Sequence, residues 1–247
     1  MIEVAPYAWF ARVYDRPDDD AGDGGSVKAG LVELLDGAIA PRGRVLELAC
    51  GTGDNLVALA ARGHRPEGLD RSPEMLARAR VRPELAVVPL VEAAMQAWTP
   101  TGGYDGILCA SFSLTYLSTP AELAAVVATV RRALVPGGAF VFDMLTPAAV
   151  APYFGSADEA HTWDDLTLAV ASCVVDSSTQ RFEVVFRFEE TATGVLAIER
   201  HVGRAVEIAE LEAVLAAAGF AGWTIDPEPL VRDGVARGAL VRVIATA

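Results

Sequence analysis

"VLELACGTG", residues Val45–Gly53, is an apolar run carrying one acid, Glu47, followed by a short loop with glycines at positions 51 and 53. Gly51 and Gly53 have no Cβ, so the backbone there can adopt positive φ and let a small molecule approach closely. The spacing decides which molecule. No Gly-Lys-Ser/Thr follows, so the loop is not a P-loop. A dinucleotide fingerprint would place a third glycine where Leu56 stands, to let the helix pack closely under a pyrophosphate. Its absence weakens an NAD-type reading.

Outward from this loop the pattern alternates. Strand-like "RVLELA", helical "DNLVALAARG", strand-like "RPEGLD", helical "SPEMLARAR" and strand-like "LAVVPL" lead to "YDGILCA", a long helix and "GAFVFDML". Short apolar runs separated by amphipathic helices predict an α/β doubly wound, Rossmann-like parallel sheet covered on both faces. In such a sheet ligands sit at the carboxyl ends of the strands, and an acid about 20 residues beyond the loop grips ribose hydroxyls. Asp70 ends the next strand-like run and meets that requirement. A nucleoside without a pyrophosphate fits the constellation best.

Turn and cap residues mark the helices. Ser72 caps a helix with Pro73 at its first position, and "TPAE" at Thr119–Glu122 is a capping box. Leu123, Val126, Val127, Val130 and Leu134 recur at helical spacing until "PGG" at Pro136–Gly138 stops the run. After Asp143 the period changes to two. In "FEVVFRFEE", Phe182, Val184, Phe186 and Phe188 share one face, and "LTLAVASCVV" and "GVLAIERHV" flank it, which predicts a three-stranded antiparallel insertion over roughly 164–204. The chain then returns to helix in "IAELEAVLAAAGF", stopped by Gly219, and ends on strand-like "GALVRVIAT". The expected organisation is an N-terminal cover segment at 1–27, a core at 28–150, the insertion at 151–205 and the rest of the core at 206–247. In the cover segment, aromatic "YAWFARVYD" precedes acidic, glycine-rich "RPDDDAGDGG", which is not expected to hold regular structure.

Composition narrows the partners. A chain of 247 residues, 52% hydrophobic, buries a core of one domain with room for an insertion. No run approaches the ~20 apolar residues of a membrane span, and no signal-peptide pattern opens the chain, so a cytoplasmic protein without a membrane partner is expected. The net charge of -13 argues against a nucleic-acid partner, because phosphate binding draws its affinity from Lys and Arg. Cys50, Cys109 and Cys173 read as small apolar thiols, and Asp18–Asp20 as a solvated surface run; no metal site is expected.

These residues resemble the class I S-adenosylmethionine-dependent methyltransferases. "VLELACGTG" is similar to the family's cofactor loop, "GLDRSPEMLARAR" to its ribose and adenine segment, and "ALVPGG" to the turn before its fifth strand. "FARVYD", "FDMLTP" and "IERHVGRAVEIAELEAVLAAAGF" resemble bacterial small-molecule members with an antiparallel insertion, sugar-amine N-methyltransferases among them. The resemblance implies a seven-stranded sheet with the last strand antiparallel, and S-adenosyl-L-methionine as cofactor. It implies that Gly51 and Gly53 meet the methionine and ribose part, Asp70 the ribose diol, Met75 the adenine face, and Met95 and Gln96 the adenine edge. Glu47, Ala49 and Arg71 are counted among the cofactor-binding residues as well, and Tyr14 would close over the methionine end. Ala94 stands where many members place an acid.

The sulfonium is an activated methyl donor, so such an enzyme mainly orients the reactants, an effect worth roughly 7 to 11 kcal/mol. A neutral amine need only shed a proton, whereas a hydroxyl usually needs a base or a metal. His201 shares a strand face with Glu199, which could orient its tautomer, and Tyr116 in "SFSLTYL" follows the fourth strand, where the methyl group should emerge. Tyr116 and His201 are therefore the catalytic candidates; His161 precedes the insertion, and His64 lies at the opposite end. No Asp/Asn-Pro-Pro-Tyr run points to a nucleobase amine. Methylation of nitrogen or oxygen on a small-molecule metabolite is the expected function. The alternative is a non-methylating protein that keeps the nucleoside as a structural or sensing ligand. Open antiparallel edges in the insertion would invite a second copy, so a homodimer is an expectation.

Overall fold

A computed structural model describes residues 1–16, 24–154, 160–232 and 235–247; the acidic run Asp18–Asp20 lies outside them. The strands are β1 (Ile2–Val4), β2 (Arg44–Leu48), β3 (Arg65–Asp70), β4 (Leu90–Glu92), β5 (Tyr104–Cys109), β6 (Leu134–Leu145), β7 (Ala160–Thr162), β8 (Leu166–Asp176), β9 (Arg181–Glu190), β10 (Leu196–Arg204), β11 (Gly222–Arg232) and β12 (Val235–Thr246). The helices are α1 (Gly24–Ala38), α2 (Asp54–Ala61), α3 (Pro73–Arg80), α4 (Pro120–Ala133), α5 (Val150–Phe154) and α6 (Ile208–Ala218).

Seven strands form the main sheet in the order β11-β12-β6-β5-β2-β3-β4. All run parallel except β12, the last in the chain, which pairs antiparallel with β6 and β11. The period-two alternation of β6 assigns its faces. Ala139 and Val141 meet Leu31, Val32 and Leu35 of α1, while Phe140, Phe142 and Met144 meet Leu123, Val126 and Val130 of α4 and Leu211 and Leu215 of α6. Burial on both sides explains why β2 and β5 read as near-continuous apolar runs. Their carboxyl ends therefore converge on one rim, where the ligand loop lies.

The helix signals act as read. Ser72 accepts from the Met75 amide at 3.2 Å, Thr119 and Glu122 cap α4 reciprocally, and Gly219 closes α6 at φ 82. Three boundaries differ from the sequence reading. Leu134 starts β6 rather than ending α4, and Pro136–Gly138 lie inside that strand, where the pairing of β5 with β6 shifts register. The run "LAVVPL" becomes strand only from Leu90: Pro83–Leu85 form a 3-10 turn, and Val87 is 92% exposed. The third is β11, which apolar patterning does not reveal, because an edge strand tolerates Pro227 and Pro229.

The insertion belongs to a second sheet, of five strands rather than three, in the order β1-β10-β9-β8-β7. Leu168, Val184, Phe186 and Phe188 on its inner face pack with Leu145, Val150 and Leu240 of the core. The outer edges of β10 and β8 are already paired, with β1 and β7 of 3 residues each. β1 runs parallel to β10, with Val4 opposite Glu199. This pairing delivers the next turn of the chain, from Pro6 onward, to the rim of the main sheet. Among the described residues, no helix is long and apolar enough to cross a membrane.

Candidate active site

A cleft opens at the carboxyl ends of β2, β3 and β5. Ala49, Gly51, Asp70, Arg71 and Met75 line one side, Met95 and Gln96 another, and Tyr7, Tyr14, Ser111, Ser113 and Tyr116 the far end. Of the residues singled out in the sequence, Glu47, Gly53 and His201 stand behind this wall.

The two loop glycines divide their work. Gly51 has φ 55, and a Cβ there would meet no atom within 4 Å, so the space in front of it is open. Gly53 has φ 87, and a Cβ would come within 2.4 Å of Leu85 Cδ1, so it serves packing of the loop against the turn after α3. The buried Leu56, in the place of a third fingerprint glycine, fills the same cluster with Cys50, Leu76 and Ala79. Gly53→Ala is expected to cost about 2 to 4 kcal/mol, the sum of a left-handed penalty and overpacking. Gly51→Ala is expected to cost only about 1 kcal/mol while weakening ligand binding at least tenfold, on the order of 1.4 kcal/mol. Urea titration with calorimetry checks the pair; equal stability losses would contradict this division.

Asp70 is 7% exposed, and each of its oxygens accepts one backbone N–H: Oδ2 from Gly51 and Oδ1 from Ser72, both at 2.8 Å. Burial pushes its carboxyl above the usual aspartate range, against the two amides that hold the charged form. Each oxygen keeps lone-pair capacity toward the cleft, which suits a vicinal diol. Glu47 accepts from Asn55 Nδ2 at 2.7 Å, joining β2 to α2 beneath the loop. Thr52 donates to Asp15 at 2.6 Å, and Arg78 of α3 reaches the same carboxylate at 3.3 Å. The N-terminal segment is thereby tied to the glycine loop.

At the far end lies a chain of polar groups. Glu199, fully buried on β10, accepts the backbone N–H groups of Tyr7 at 2.8 Å, Trp9 at 2.5 Å and Phe10 at 2.9 Å. His201 Nε2 lies 3.0 Å from the same carboxylate. A carboxylate oxygen accepts, so Nε2 carries a hydrogen, and in that tautomer Nδ1 is an acceptor. Tyr116 donates to Nδ1 at 2.6 Å, and its oxygen accepts from the Tyr7 hydroxyl at 2.8 Å. Burial raises both phenols well above their ordinary range, and their mutual proximity adds to the rise at Tyr7. They stay protonated at neutral pH. The Arg71 guanidinium sits 5.0 Å from the Tyr116 ring centroid, giving the cleft one positive wall.

Ser111 and Phe112 turn the chain from β5 toward Tyr116 at φ 59 and 56, a left-handed pair of non-glycine residues. Such residues cost roughly 1 to 2 kcal/mol each. Asp143 on β6 holds them by accepting the Ser111 amide at 3.2 Å and the Phe112 amide at 2.7 Å. Ser113 and Tyr116 reach the cleft, whereas Phe112 and Thr115 are buried beside it. His64 is bound to Asp36 of α1 at 2.8 Å, at the other end of the sheet, and His161 stacks on Trp163 of the second sheet. Cys50 and Cys109 are buried thiols pushed upward by desolvation, and Cys173 is partly exposed. Sequence reasoning missed Tyr7 and Asp143. The aromatic run "YAWF" signalled burial, and nothing local signalled a proton path.

Sheet order and the glycine loop at its carboxyl rim define a Rossmann-like domain with a chain of hydrogen-bonded polar groups at one end of its cleft. Residues 45–138 match the family described as "Methyltransferase domain". The chain is similar to the YqeM protein of Bacillus subtilis (strain 168), whose name assigns it to the methyltransferases, at 29% identity over 65% of this chain and 64% of that protein. It is also similar to the dTDP-3-amino-3,4,6-trideoxy-alpha-D-glucopyranose N,N-dimethyltransferase of Streptomyces venezuelae, at 28% identity over 77% of this chain and 80% of that one. In fold it is similar to an S-adenosylmethionine-dependent methyltransferase from Clostridium acetobutylicum, with TM-score 0.77, 19% identity and coverage of 97% and 98% of the two chains. The chain thus spans just under two thirds of the Bacillus protein's length.

Proposed function

We propose that the chain moves the methyl group of S-adenosylmethionine to an amine nitrogen of a small polar metabolite, of which an aminosugar is the leading example. The observation that carries this reading is the Glu199–His201–Tyr116–Tyr7 chain ending in the same cleft as Gly51 and Asp70. The residues fit the cofactor: the open cradle at Gly51 and the two diol-facing oxygens of Asp70 accommodate a nucleoside, with Met75, Met95 and Gln96 around the base. Ala49, Arg71 and Tyr14 complete that half of the site, while Glu47 and Gly53 support the loop from behind.

When bound, the cofactor supplies an electrophilic methyl on its sulfonium. The acceptor, an ammonium in water, must lose a proton to expose its lone pair. Tyr7 accepts that proton at its oxygen as its phenolic hydrogen passes to Tyr116 and that of Tyr116 to Nδ1 of His201, or Tyr116 accepts it directly and gives its own hydrogen to Nδ1; Glu199 balances the imidazolium. Ser111 and Ser113 offer hydroxyls to a polyhydroxylated acceptor. Support for nitrogen and for a sugar comes from the named reaction of the Streptomyces relative. A protein that merely kept the nucleoside would have no use for the relay.

Incubation of the purified chain with methyl-labelled S-adenosylmethionine and a panel of aminosugars and their hydroxyl counterparts tests the reading. Label is expected in the amines alone. Label in the hydroxyl series would overturn the choice of nitrogen; cofactor binding with no transfer to any small molecule would favour the nucleoside-holding alternative.

A further inference from the structure

Glu199 stands apart from the cleft, yet four donors converge on it: the amides of Tyr7, Trp9 and Phe10, and His201 Nε2. Three belong to the turn that follows β1 and one to the proton relay. The carboxylate is the joint between them. Tyr7 is itself at φ 69, a conformation a non-glycine residue holds only when its surroundings impose it. Here the imposing group is Glu199, through the Tyr7 amide, and the consequence is that the Tyr7 hydroxyl meets Tyr116 at 2.8 Å.

We infer that Glu199 is a positioning residue with two coupled tasks, docking the N-terminal turn so that Tyr7 closes the cleft and holding His201 in the tautomer that accepts from Tyr116. The inference rests on the relay described above. An undocked turn leaves Glu199 with one donor in place of four, so the carboxylate is free to rotate and the His201 ring loses the fixed acceptor that keeps its hydrogen on Nε2. Nδ1 is then no longer held toward Tyr116 as its acceptor. Seating of the turn and readiness of the base are one event. The groups that face His201 are the hydroxyls of Tyr7 and Tyr116, the carboxylate of Glu199 and the rings of Phe10 and Phe186, with Arg71 beyond Tyr116. Outside this joint, Arg12 to Glu190 at 2.9 Å and Arg16 to Asp165 at 2.8 Å fasten the same turn to the second sheet. They tie the turn down without touching His201.

The test is the full-length Glu199→Gln variant, followed by amide hydrogen exchange at Trp9 and Phe10 and by nitrogen NMR of the His201 ring, both without acceptor. Glutamine keeps the shape but turns one acceptor oxygen into a donor that faces N–H groups. Exchange at both amides is expected to rise at least tenfold, and the His201 ring to leave the Nε2–H form. Tyr7→Phe, which keeps the backbone bonds, is expected to change neither signal. In turnover, Glu199→Gln should lower kcat more than tenfold while the Kd for S-adenosylhomocysteine moves less than threefold. If Glu199→Gln does not fold, Glu199→Asp takes its place. One methylene shorter, it cannot reach turn and imidazole together, so one signal must change. Wild-type exchange with a wild-type ring signature in the folded variant overturns the inference, as does a change in exchange alone in Glu199→Gln. Because neither signal needs an acceptor, a wrong assignment of the methyl acceptor would leave both outcomes readable.

Discussion

Replacing Asp70 with alanine is expected to weaken binding of S-adenosylhomocysteine by on the order of 100-fold or more, about 2.7 kcal/mol, while the chain stays folded. The carboxylate faces the cleft with both oxygens and holds the Gly51 and Ser72 amides at 2.8 Å. The truncation therefore removes the diol acceptor and releases the loop that frames it. Loss of two charge-assisted bonds from buried amides also destabilises the chain by roughly 2 to 4 kcal/mol, which a domain of this size tolerates only in part, so circular dichroism should accompany calorimetry. Unchanged affinity in a folded variant would remove Asp70 from the site.

The same residue ties affinity and stability to pH with opposite signs. Its folded-state pKa lies above the usual aspartate value because burial outweighs the amide bonds. A group that binds its proton more tightly when folded makes the chain more stable as pH falls through the folded pKa, and that gain is complete below the unfolded value. Protonation also takes an acceptor oxygen away from a ribose diol. Through the acidic side of neutrality, apo-protein stability at this group should therefore rise while affinity for S-adenosylhomocysteine falls. The difference between wild type and Asp70→Ala isolates both slopes; parallel slopes would contradict the argument.

His201→Ala is expected to lower kcat by about 100- to 10,000-fold, the span of a positioned proton acceptor. His201 is 3% exposed and sits behind Tyr116, so the Kd for S-adenosylhomocysteine should stay within a few fold. Tyr116→Phe should lower kcat by a similar order, and the double variant should be no slower than the worse single one, because both residues occupy one proton path. Additive losses would show two independent contributions and dismantle the relay.

Periodicity and turn chemistry made much of this architecture readable before any coordinates. β2, β3 and β5 announced themselves as apolar runs between amphipathic helices, and Ser72, Thr119 and Gly219 marked helix ends with groups that bond within a few residues. Asp70 was legible from its distance to the glycine loop. Glu199 and His201 were legible as a pair because alternate residues on a strand share a face. Harder to read were elements whose partners lie far along the chain. β11 hides behind prolines that only an edge strand accepts, and β1 is three residues whose pairing with β10 no local pattern encodes.

Gly53 and Glu47 show the same limit at single positions. Loop spacing placed both near a ligand, but a Cβ on Gly53 points at Leu85, and Glu47 points at Asn55. Local sequence therefore announced β2, β3 and β5, the glycine loop and the acid that ends β3, since each is marked by residues close together along the chain. The far end of the cleft is different: Tyr7 meets Tyr116 across 109 residues, and Tyr116 meets His201 across 85. That alignment arises when β1 joins β10 and Glu199 holds the turn that follows β1, because hydrogen-bond geometry across such separations is set by packing and not by any short-range preference of the chain.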